Sequence, residues 1–266
     1  MLDEVRSALF LPASNSRALQ KARGLPCDMV ILDLEDAVPE SDKDAARAAA
    51  LSAADGGWGS RLLAVRLNGV GPWHEPDLVA LAGVSDVDLV VVPKVETPEY
   101  AEALARRLSR PLLAMIETPA GVYAAREIAG VGGVVGLLAG SNDLAAALRL
   151  PGGRTGLTLA LQSIVLAARA GGVAALDGVF NALDDPDGFK EDCSAGRQIG
   201  FDGKSLIHPN QIDIANRIFG PSPEEVEEAR ALIAAFTGGA ERFRGRMIEA
   251  MHVETARRAL KRARLP

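Results

Sequence analysis

The stretch LLAMIETPAG, residues 112–121, is the most informative segment for the fold, because an apolar run ends in a carboxylate, Glu117. A lone carboxylate behind such a run is costly to bury without a partner. The arrangement recurs along the chain, where short apolar runs alternate with amphipathic, alanine-rich segments. The eight runs are residues 7–12, 28–36, 62–68, 88–94, 112–117, 134–143, 173–180 and 203–209.

The segments between the runs carry helix-start signals. Ser41 followed by Asp44 and Ser222 followed by Glu225 both resemble capping boxes, and residues 97–99, Thr-Pro-Glu, put proline at a first helical position. Strand, helix and strand at this spacing predict parallel pairing through crossover helices. Eight such units favour a closed (β/α)8 TIM barrel. An open doubly wound sheet is the alternative, because periodicity alone does not establish closure.

The composition changes near residue 221. PSPEEVEEARALIAAF predicts a long amphipathic helix, Gly238 and Gly239 break it, and a second helical stretch follows to the C-terminus. We therefore predict a barrel domain over residues 1–220 and a C-terminal helical extension over residues 221–266.

Composition limits the classes of partner. The chain has 266 residues, 48% of them hydrophobic and 4% aromatic, with a net charge of -6, so a nucleic-acid partner is not expected. No segment approaches eighteen uninterrupted apolar residues, which predicts no membrane span. Two cysteines, Cys27 and Cys193, exclude a disulfide framework and indicate a reducing, cytoplasmic location.

Polar residues follow the predicted strands at the point where each strand ends. In a barrel of this type the carboxyl ends of the strands meet at one face, and the chemistry lies there. The residues in question are Asp33, Glu35, Asp36, Arg66, Asn68, Lys94, Glu117, Ser141, Asn142, Asp143 and His208.

Glu117 and Asp143 follow neighbouring strands, which lie about 4.8 Å apart, so both carboxylates can reach one ion. An all-oxygen site suits Mg²⁺, or Mn²⁺, better than Zn²⁺. Two alternatives remain open: Glu117 caps the next helix or pairs with Lys94, and Asp143 is an ordinary acidic residue at a helix start.

Arg66 also has two interpretations. It is either a structural ion-pair partner of Asp36 or a clamp for a substrate carboxylate. His74 and His208 fit helix starts, or residues that orient others, better than they fit bases.

Seven motifs, in order, resemble those of the citrate lyase beta subunit and its stand-alone relatives, within the larger group that contains malyl-CoA lyase and citramalyl-CoA lyase. The resemblance spans essentially the whole chain but does not separate the members of the group. The motifs are RSALFLPAS, LDLEDAVPESDKDAAR, VRLNG, VVPKVET, IETPAGV, GSNDLAAAL and GFDGKSLIHPNQI.

The resemblance implies a (β/α)8 barrel that uses Mg²⁺ to cleave or form a carbon-carbon bond in a 3-hydroxyacyl thioester. The products of cleavage are a 2-oxo acid (oxaloacetate, glyoxylate or pyruvate) and an acyl thioester of coenzyme A or a carrier protein. By position it implies that Glu117 and Asp143 are metal ligands, Arg66 is the substrate clamp, Asn142 contacts substrate, Glu35 and Asp36 orient water around the ion, and Lys43 and Lys94 stabilise the acidic cluster.

The chain departs from the group's pattern near its C-terminus. Relatives carry G-x-M-I-D-x-P-H, whose Asp reaches a neighbouring subunit's site, whereas this chain has GRMIEAMHV, with Glu249 at the Asp position and Met251 at the Pro position. The resemblance thus implies a homotrimer or a dimer of trimers. Because Glu249 is one methylene longer, we expect altered substrate preference or slower turnover.

Other functions fit the same residues. Lys94 as a Schiff-base nucleophile is disfavoured, because neighbouring carboxylates keep its ammonium charged. A Mg²⁺-dependent malyl or citramalyl thioester hydrolase would use the same site. A subunit that is inactive outside a lyase complex is the third interpretation.

Overall fold

The computed structural model describes residues 2–263, and its centre is a closed barrel of eight parallel strands in sequential order. The strand pairs run from β1–β2 to β7–β8, and β1 pairs with β8 through Ser7 and Lys204. This last pairing closes the sheet, so the predicted barrel is confirmed and the open sheet is wrong. The strands are β1 Ser7–Pro12, β2 Met29–Asp33, β3 Leu62–Arg66, β4 Leu89–Val92, β5 Leu112–Ile116, β6 Val134–Ala139, β7 Ala174–Asp177 and β8 Gly203–Leu206.

Helices connect the strands and surround the barrel, as parallel pairing requires. No helix among residues 2–263 is long and apolar enough to cross a membrane. The helices are α1 Ser16–Ala22, α2 Lys43–Ala54, α3 His74–Ala82, α4 Pro98–Leu108, α5 Pro119–Ala129, α6 Ser141–Ala147, α7 Thr158–Gly171, α8 Pro186–Ile199, α9 Ile212–Phe219, α10 Pro223–Ala235 and α11 Ala250–Arg262.

Two of the predicted helix starts are confirmed and one is wrong. The Thr97 side chain accepts a hydrogen bond from the backbone of α4, and Ser222 forms a complete capping box with Glu225. Ser41 caps nothing. It lies inside a 3-10 turn that precedes α2, and its hydroxyl donates to the adjacent Asp42 carboxylate at 2.9 Å.

Alternation along the strands produces two apolar layers. In β2, Met29 and Ile31 point into the barrel, whereas Val30 and Leu32 point outward into the layer beneath the helices. Strand side chains alternate with a period of two, so a residue just past the strand continues one of these rows. The inner layer contains Ala8, Met29, Ile31, Ala64, Leu89, Val91, Leu113, Met115, Leu138, Ala174 and Leu176.

The C-terminal part has a small apolar cluster of its own, built mainly by α10 and α11. Between these helices lies an antiparallel hairpin, β9 Glu241–Phe243 and β10 Arg246–Ile248, which the sequence analysis did not predict. Gly245, with φ of 84°, supplies the left-handed backbone conformation at its turn. The prediction that the last helix continues to the C-terminus extends beyond residue 263, outside the described residues. The domain boundary at residue 220 stays a prediction.

Candidate active site

Arg66 is the fixed point of the polar cluster at the carboxyl ends of the strands. Asp33 and Arg66 continue the inward rows of β2 and β3, and the Asp33 carboxylate accepts from Nε and Nη2 of Arg66 at 2.6 Å each. The remaining nitrogen, Nη1, lies 3.1 Å from Glu35 and 3.3 Å from Asp36. The predicted pair with Asp36 is present, but Asp33, whose role the sequence analysis missed, is the main partner. A bidentate pair of this kind fixes the plane of the guanidinium.

Glu117 continues the inward row of β5 and is buried. One carboxylate oxygen accepts the backbone N–H of Lys94 at 2.7 Å, and burial raises the pKa of Glu117 against that hydrogen bond. The other oxygen faces Gly140, where an added Cβ would lie only 2.5 Å away, so the glycine of GSND makes room for this carboxylate. Thr118, not Glu117, caps α5, which excludes the capping alternative.

Lys94 links the carboxylates of three strand ends. Its backbone has a φ of 50°, a strained conformation for a non-glycine residue, and this bend directs its N–H at Glu117. Its ammonium lies 3.8 Å from Glu35 and 3.5 Å from Asp143. Burial lowers the pKa of Lys94, but these carboxylates outweigh it and raise the pKa above its ordinary value. A permanently charged amine is a poor Schiff-base nucleophile.

Glu35 is buried beside this lysine. Burial raises the pKa of Glu35 to about 7, with Arg66 opposing the shift and Asp36 and Glu117 adding to it. Lys43, predicted to stabilise the acidic cluster, donates from its ammonium to the carbonyl oxygens of Leu34 and Glu35 at 2.7 Å each. Lys43 therefore holds the backbone beneath the carboxylates and does not pair with them in this structure.

These residues form what we call the carboxylate cluster: Asp33, Glu35, Asp36, Glu117 and Asp143, with Arg66 and Lys94. Five carboxylates face two cations, so the cluster carries surplus negative charge in a partly buried place. Burial is the main reason why the pKa values of Glu35 and Glu117 are raised, and the neighbouring carboxylates add to it, so a bound cation would lower both values.

The donor set fits Mg²⁺. No group of three or more His, Cys, Asp or Glu side chains within residues 2–263 is arranged to hold a metal by itself. Mg²⁺ does not require such a cage, because it is commonly bound through one or two carboxylates and keeps water or substrate oxygens in its other positions. Glu117 and Asp143 provide two carboxylates, and the Lys94 ammonium at Asp143 shows that this spot attracts a cation.

Asn142, predicted to contact substrate, lies in the first turn of α6 and faces solvent. It exchanges amide hydrogen bonds with Asn181 on the loop after β7, at 2.7 Å and 3.4 Å. Asn181 was missed, because no local signal marks it. Gly140 is the N-cap of α6 and Asp143 lies in its first turn, so Asp143 is not itself the cap.

The two histidines that were predicted to lie at helix starts are both found there. His74 is the first residue of α3, and His208 caps a short 3-10 turn by accepting the N–H of Asn210 at 3.2 Å. Only His74 belongs to the surroundings of the carboxylate cluster, through its contact with Tyr100.

Comparison with known proteins agrees with this geometry. A model of the HpcH/HpaI aldolase/citrate lyase family matches residues 6–209. The chain belongs to this family. It is 42% identical to a (3S)-malyl-CoA thioesterase of Cereibacter sphaeroides over 97% of this chain and 94% of that one. It is 40% identical to a citrate lyase subunit beta-like protein of Deinococcus radiodurans, over 96% of both chains.

Among solved structures of the family, CitE from Mycobacterium tuberculosis in complex with magnesium, acetoacetate and coenzyme A matches with a TM-score of 0.81. The two chains are 34% identical, and the match covers 97% of each. The barrel and its tail thus have the same overall arrangement as this family member.

Glu249, at the family's Asp position, lies outside the carboxylate cluster of its own chain. It is the N-cap of α11, and its N–H donates to His252 at 3.0 Å. The opposite end of α11 binds the amino ends of the strands, where Arg262 donates to the carbonyl oxygens of Asp202 and Phe219. A cavity of about 870 Å³ between tail and barrel runs along α11 from Met251 to Arg262, and its lining contains no residue of the carboxylate cluster.

Proposed function

We propose that the protein is a Mg²⁺-dependent carbon-carbon lyase that cleaves or forms a 3-hydroxyacyl thioester. Its products in the cleavage direction are a 2-oxo acid (oxaloacetate, glyoxylate or pyruvate) and an acyl thioester. The observation that carries this proposal is the carboxylate cluster, where surplus negative charge lies next to an arginine held rigidly by Asp33. A cation would complement the negative charge of such a site, and the carboxylate of a ligand would complement its arginine.

The family relatives support the same class of chemistry. CitE from Mycobacterium tuberculosis is described in complex with magnesium, acetoacetate and coenzyme A, which are a metal, an oxo acid and a thioester carrier. We carry these three kinds of ligand over to this chain, with coenzyme A or a carrier protein as the source of the thiol.

Glu117 and Asp143 are the residues that hold Mg²⁺. When bound, the ion polarises the keto oxygen of the 2-oxo acid and stabilises the negative charge that develops there. Arg66 binds the carboxylate of the acid through Nη1, since Asp33 occupies its other edge. Fixing the substrate at its carboxylate orients the bond that is cleaved.

Glu35 and Asp36 lie beside Nη1 of Arg66, where a clamped substrate would bring the hydroxyl of its 3-hydroxyacyl group close to them. Glu35 is the buried carboxyl that would accept and return this proton, and bound Mg²⁺ would lower its pKa below the value of about 7 that burial gives it in the metal-free protein. Lys94 keeps the Glu117 carboxylate in place through its N–H and supplies positive charge between Glu35 and Asp143.

We further propose that Glu249 acts in the site of a neighbouring subunit, because α11, which Glu249 caps, is held by Arg262 to Asp202 just before β8, at the face of the barrel opposite to the carboxylate cluster. This requires an oligomer, which we take to be a homotrimer or a dimer of trimers. A cytoplasmic location is part of the proposal, supported by two cysteines that are buried and unpaired.

Thioester hydrolysis is the second candidate. The 42% identity with a (3S)-malyl-CoA thioesterase favours it. The same cluster would bind the malyl group, and a water molecule would attack the thioester carbonyl.

Product analysis separates the two. The protein is incubated with malyl-CoA, citramalyl-CoA and citryl-CoA in Mg²⁺, and 2-oxo acid, acetyl-CoA and free thiol are quantified. We expect oxo acid and acetyl-CoA in equal amounts, lost on chelation of Mg²⁺ and in Glu117→Gln. Free thiol without oxo acid would establish the hydrolase. Turnover that is indifferent to chelation would overturn the Mg²⁺-dependent mechanism of both candidates. No turnover of any of the three thioesters would leave the inactive-subunit interpretation.

A further inference from the structure

Two hydrogen bonds of His74 connect the loop after β3 to the start of α4, beside the carboxylate cluster. Nδ1 of His74 lies 2.8 Å from the carbonyl oxygen of Asn68, and the hydroxyl of Tyr100 lies 3.2 Å from Nε2 of the same ring. A carbonyl oxygen only accepts, so Nδ1 carries the hydrogen. Nε2 of the neutral ring is then the acceptor, and the Tyr100 hydroxyl donates to it.

The Asn68 end of this chain is anchored in the interior. The backbone N–H and the side-chain amide of Asn68 both donate to Asp77 at 2.8 Å, and Asp77 is fully buried. Its other oxygen accepts Nε of Arg47 at 2.7 Å. Asp77, Asn68, His74 and the Tyr100 hydroxyl are therefore joined in one continuous series of hydrogen bonds, which is typical of groups that hold a site in place. At the far end of the series, Nη2 of Arg47 is buried without a partner.

This series of hydrogen bonds joins two loops that hold different parts of the proposed site. One loop, between β3 and α3, begins at Arg66, the proposed substrate clamp. The other, between β4 and α4, contains Lys94, whose N–H positions the proposed metal ligand Glu117. Tyr100 lies in the first turn of α4, fixed to this second loop because its own N–H donates to Thr97 at 3.2 Å.

Glu35 lies against the same connection. An added Cβ at Gly69 would be 3.2 Å from a Glu35 carboxylate oxygen, so Glu35 packs on the residue next to Asn68. Burial, and after it the charge of Glu35, raises the pKa of Tyr100 to about 12. The phenol therefore stays protonated at ordinary pH and can donate to the neutral His74 ring.

We propose that Tyr100 and His74 form a positioning pair that sets the spacing between Arg66 and Glu117. This inference rests on the proposed function, because a 2-oxo acid chelated at Glu117 and clamped at Arg66 must bridge the two loops. Neither Tyr100 nor His74 is one of the proposed metal ligands. Loss of their hydrogen bond should leave each half of the site intact and weaken only the ligand that spans both.

The test is a double-mutant cycle with Tyr100→Phe, His74→Asn and the double variant. Asn can still donate to the Asn68 carbonyl but has no counterpart of Nε2. Mn²⁺ binding is measured by its paramagnetic resonance spectrum, and glyoxylate, pyruvate and oxaloacetate are then titrated calorimetrically into the Mn²⁺-loaded protein. Tyr123→Phe, on the exposed side of α5, is the matched control.

We expect the Kd of Mn²⁺ to stay within about twofold and the Kd of the oxo acid to rise about tenfold in either single variant. The double variant should be no worse than the single ones, since both remove one interaction. Unchanged oxo-acid binding in Tyr100→Phe, an equal loss of Mn²⁺ affinity, or additive losses in the double variant would each overturn the pair. If His74→Asn does not fold, Tyr100→Phe decides alone. If the wild type binds none of the three acids, the proposed function itself fails.

Discussion

The carboxylate cluster and a second group of charged residues, behind β7 and β8, both lie at strand ends but differ in charge balance. In the second group, which we call the buried quartet, Lys204 lies 3.1 Å from Asp177 and 2.5 Å from Asp192, and Arg154 lies 2.9 Å from Asp177. Two carboxylates face two cations there. The carboxylate cluster has five carboxylates for two cations.

The direction of the side chains explains the difference. Lys204 and Asp177 belong to the outward rows of their strands and point at α8, because their neighbours Leu176 and Ser205 occupy the opposite face. Asp33, Arg66 and Glu117 continue inward rows and emerge at the mouth of the barrel. Outward charges must be neutralised locally because they are enclosed, whereas inward charges at the mouth can be neutralised by a ligand.

The largest effect should come from breaking the buried quartet. Lys204→Met leaves Asp177 and Asp192 with Arg154 alone in an enclosed place, and breaking a buried ion pair in this way costs about 3–5 kcal/mol of unfolding free energy. Urea denaturation measures the loss. Lys94→Met is the matched variant in the carboxylate cluster, and because its side chain is 48% exposed we expect a loss of about 1 kcal/mol or less. Equal losses of unfolding free energy in Lys204→Met and Lys94→Met would contradict the proposed difference between the buried quartet and the carboxylate cluster.

The next largest effect should come from Mg²⁺, the cation proposed to neutralise the surplus negative charge of the carboxylate cluster. Mg²⁺ at about 100 times its Kd should add about 2.7 kcal/mol to the unfolding free energy, since it binds only the folded state. Glu117→Gln should abolish this increment. Asp192→Asn, in the buried quartet, should lower stability and leave the increment intact. The idea is wrong if Glu117→Gln keeps the response to Mg²⁺, or if Asp192→Asn loses it.

The same contrast shows what sequence reasoning could reach. The apolar runs ending in polar residues predicted the strands and the convergence of Arg66, Lys94, Glu117 and Asp143 at one face, because the fold places all strand ends together. They did not separate inward from outward rows, since strands buried on both faces read as continuous apolar runs. The dominant role of Asp33 and the burial of Lys204 were therefore not predictable from the runs alone.

Other features were not predicted because they depend on tertiary contacts. The hairpin at residues 241–248 is short and mostly polar, and it is held by packing of Ile248 against the tail helices. Lys43 looked like a partner of carboxylates, but its ammonium finds carbonyl oxygens because α2 begins directly beneath that loop. The role of Glu249 depends on a second chain, which no pattern within one sequence specifies.

The smallest expected effect is the pH dependence that the burial of Glu35, next to the other carboxylates of the cluster, imposes on the metal-free protein. The pKa of Glu35 rises from an ordinary 4.5 to about 7 on folding, so the folded state binds more protons than the unfolded state between these values. Stability must then fall as pH rises through this window, because ionisation is easier after unfolding. The fall attributable to Glu35 is on the order of 2 kcal/mol.

Urea denaturation in the presence of a chelator, at several pH values from 5 to 8, measures this slope, and Glu35→Gln isolates its source. The variant carries a neutral amide of the same shape, so it should be more stable than the wild type at pH 8 and nearly equal at pH 5. Lys204 provides the opposite case, because burial lowers its pKa but Asp177 and Asp192 raise it by more, so the Lys204 ammonium stays charged throughout this range. A wild-type stability that rises from pH 5 to pH 8, with the same rise in Glu35→Gln, would mean that Arg66 and Lys94 already neutralise the carboxylate cluster and that it needs no added cation.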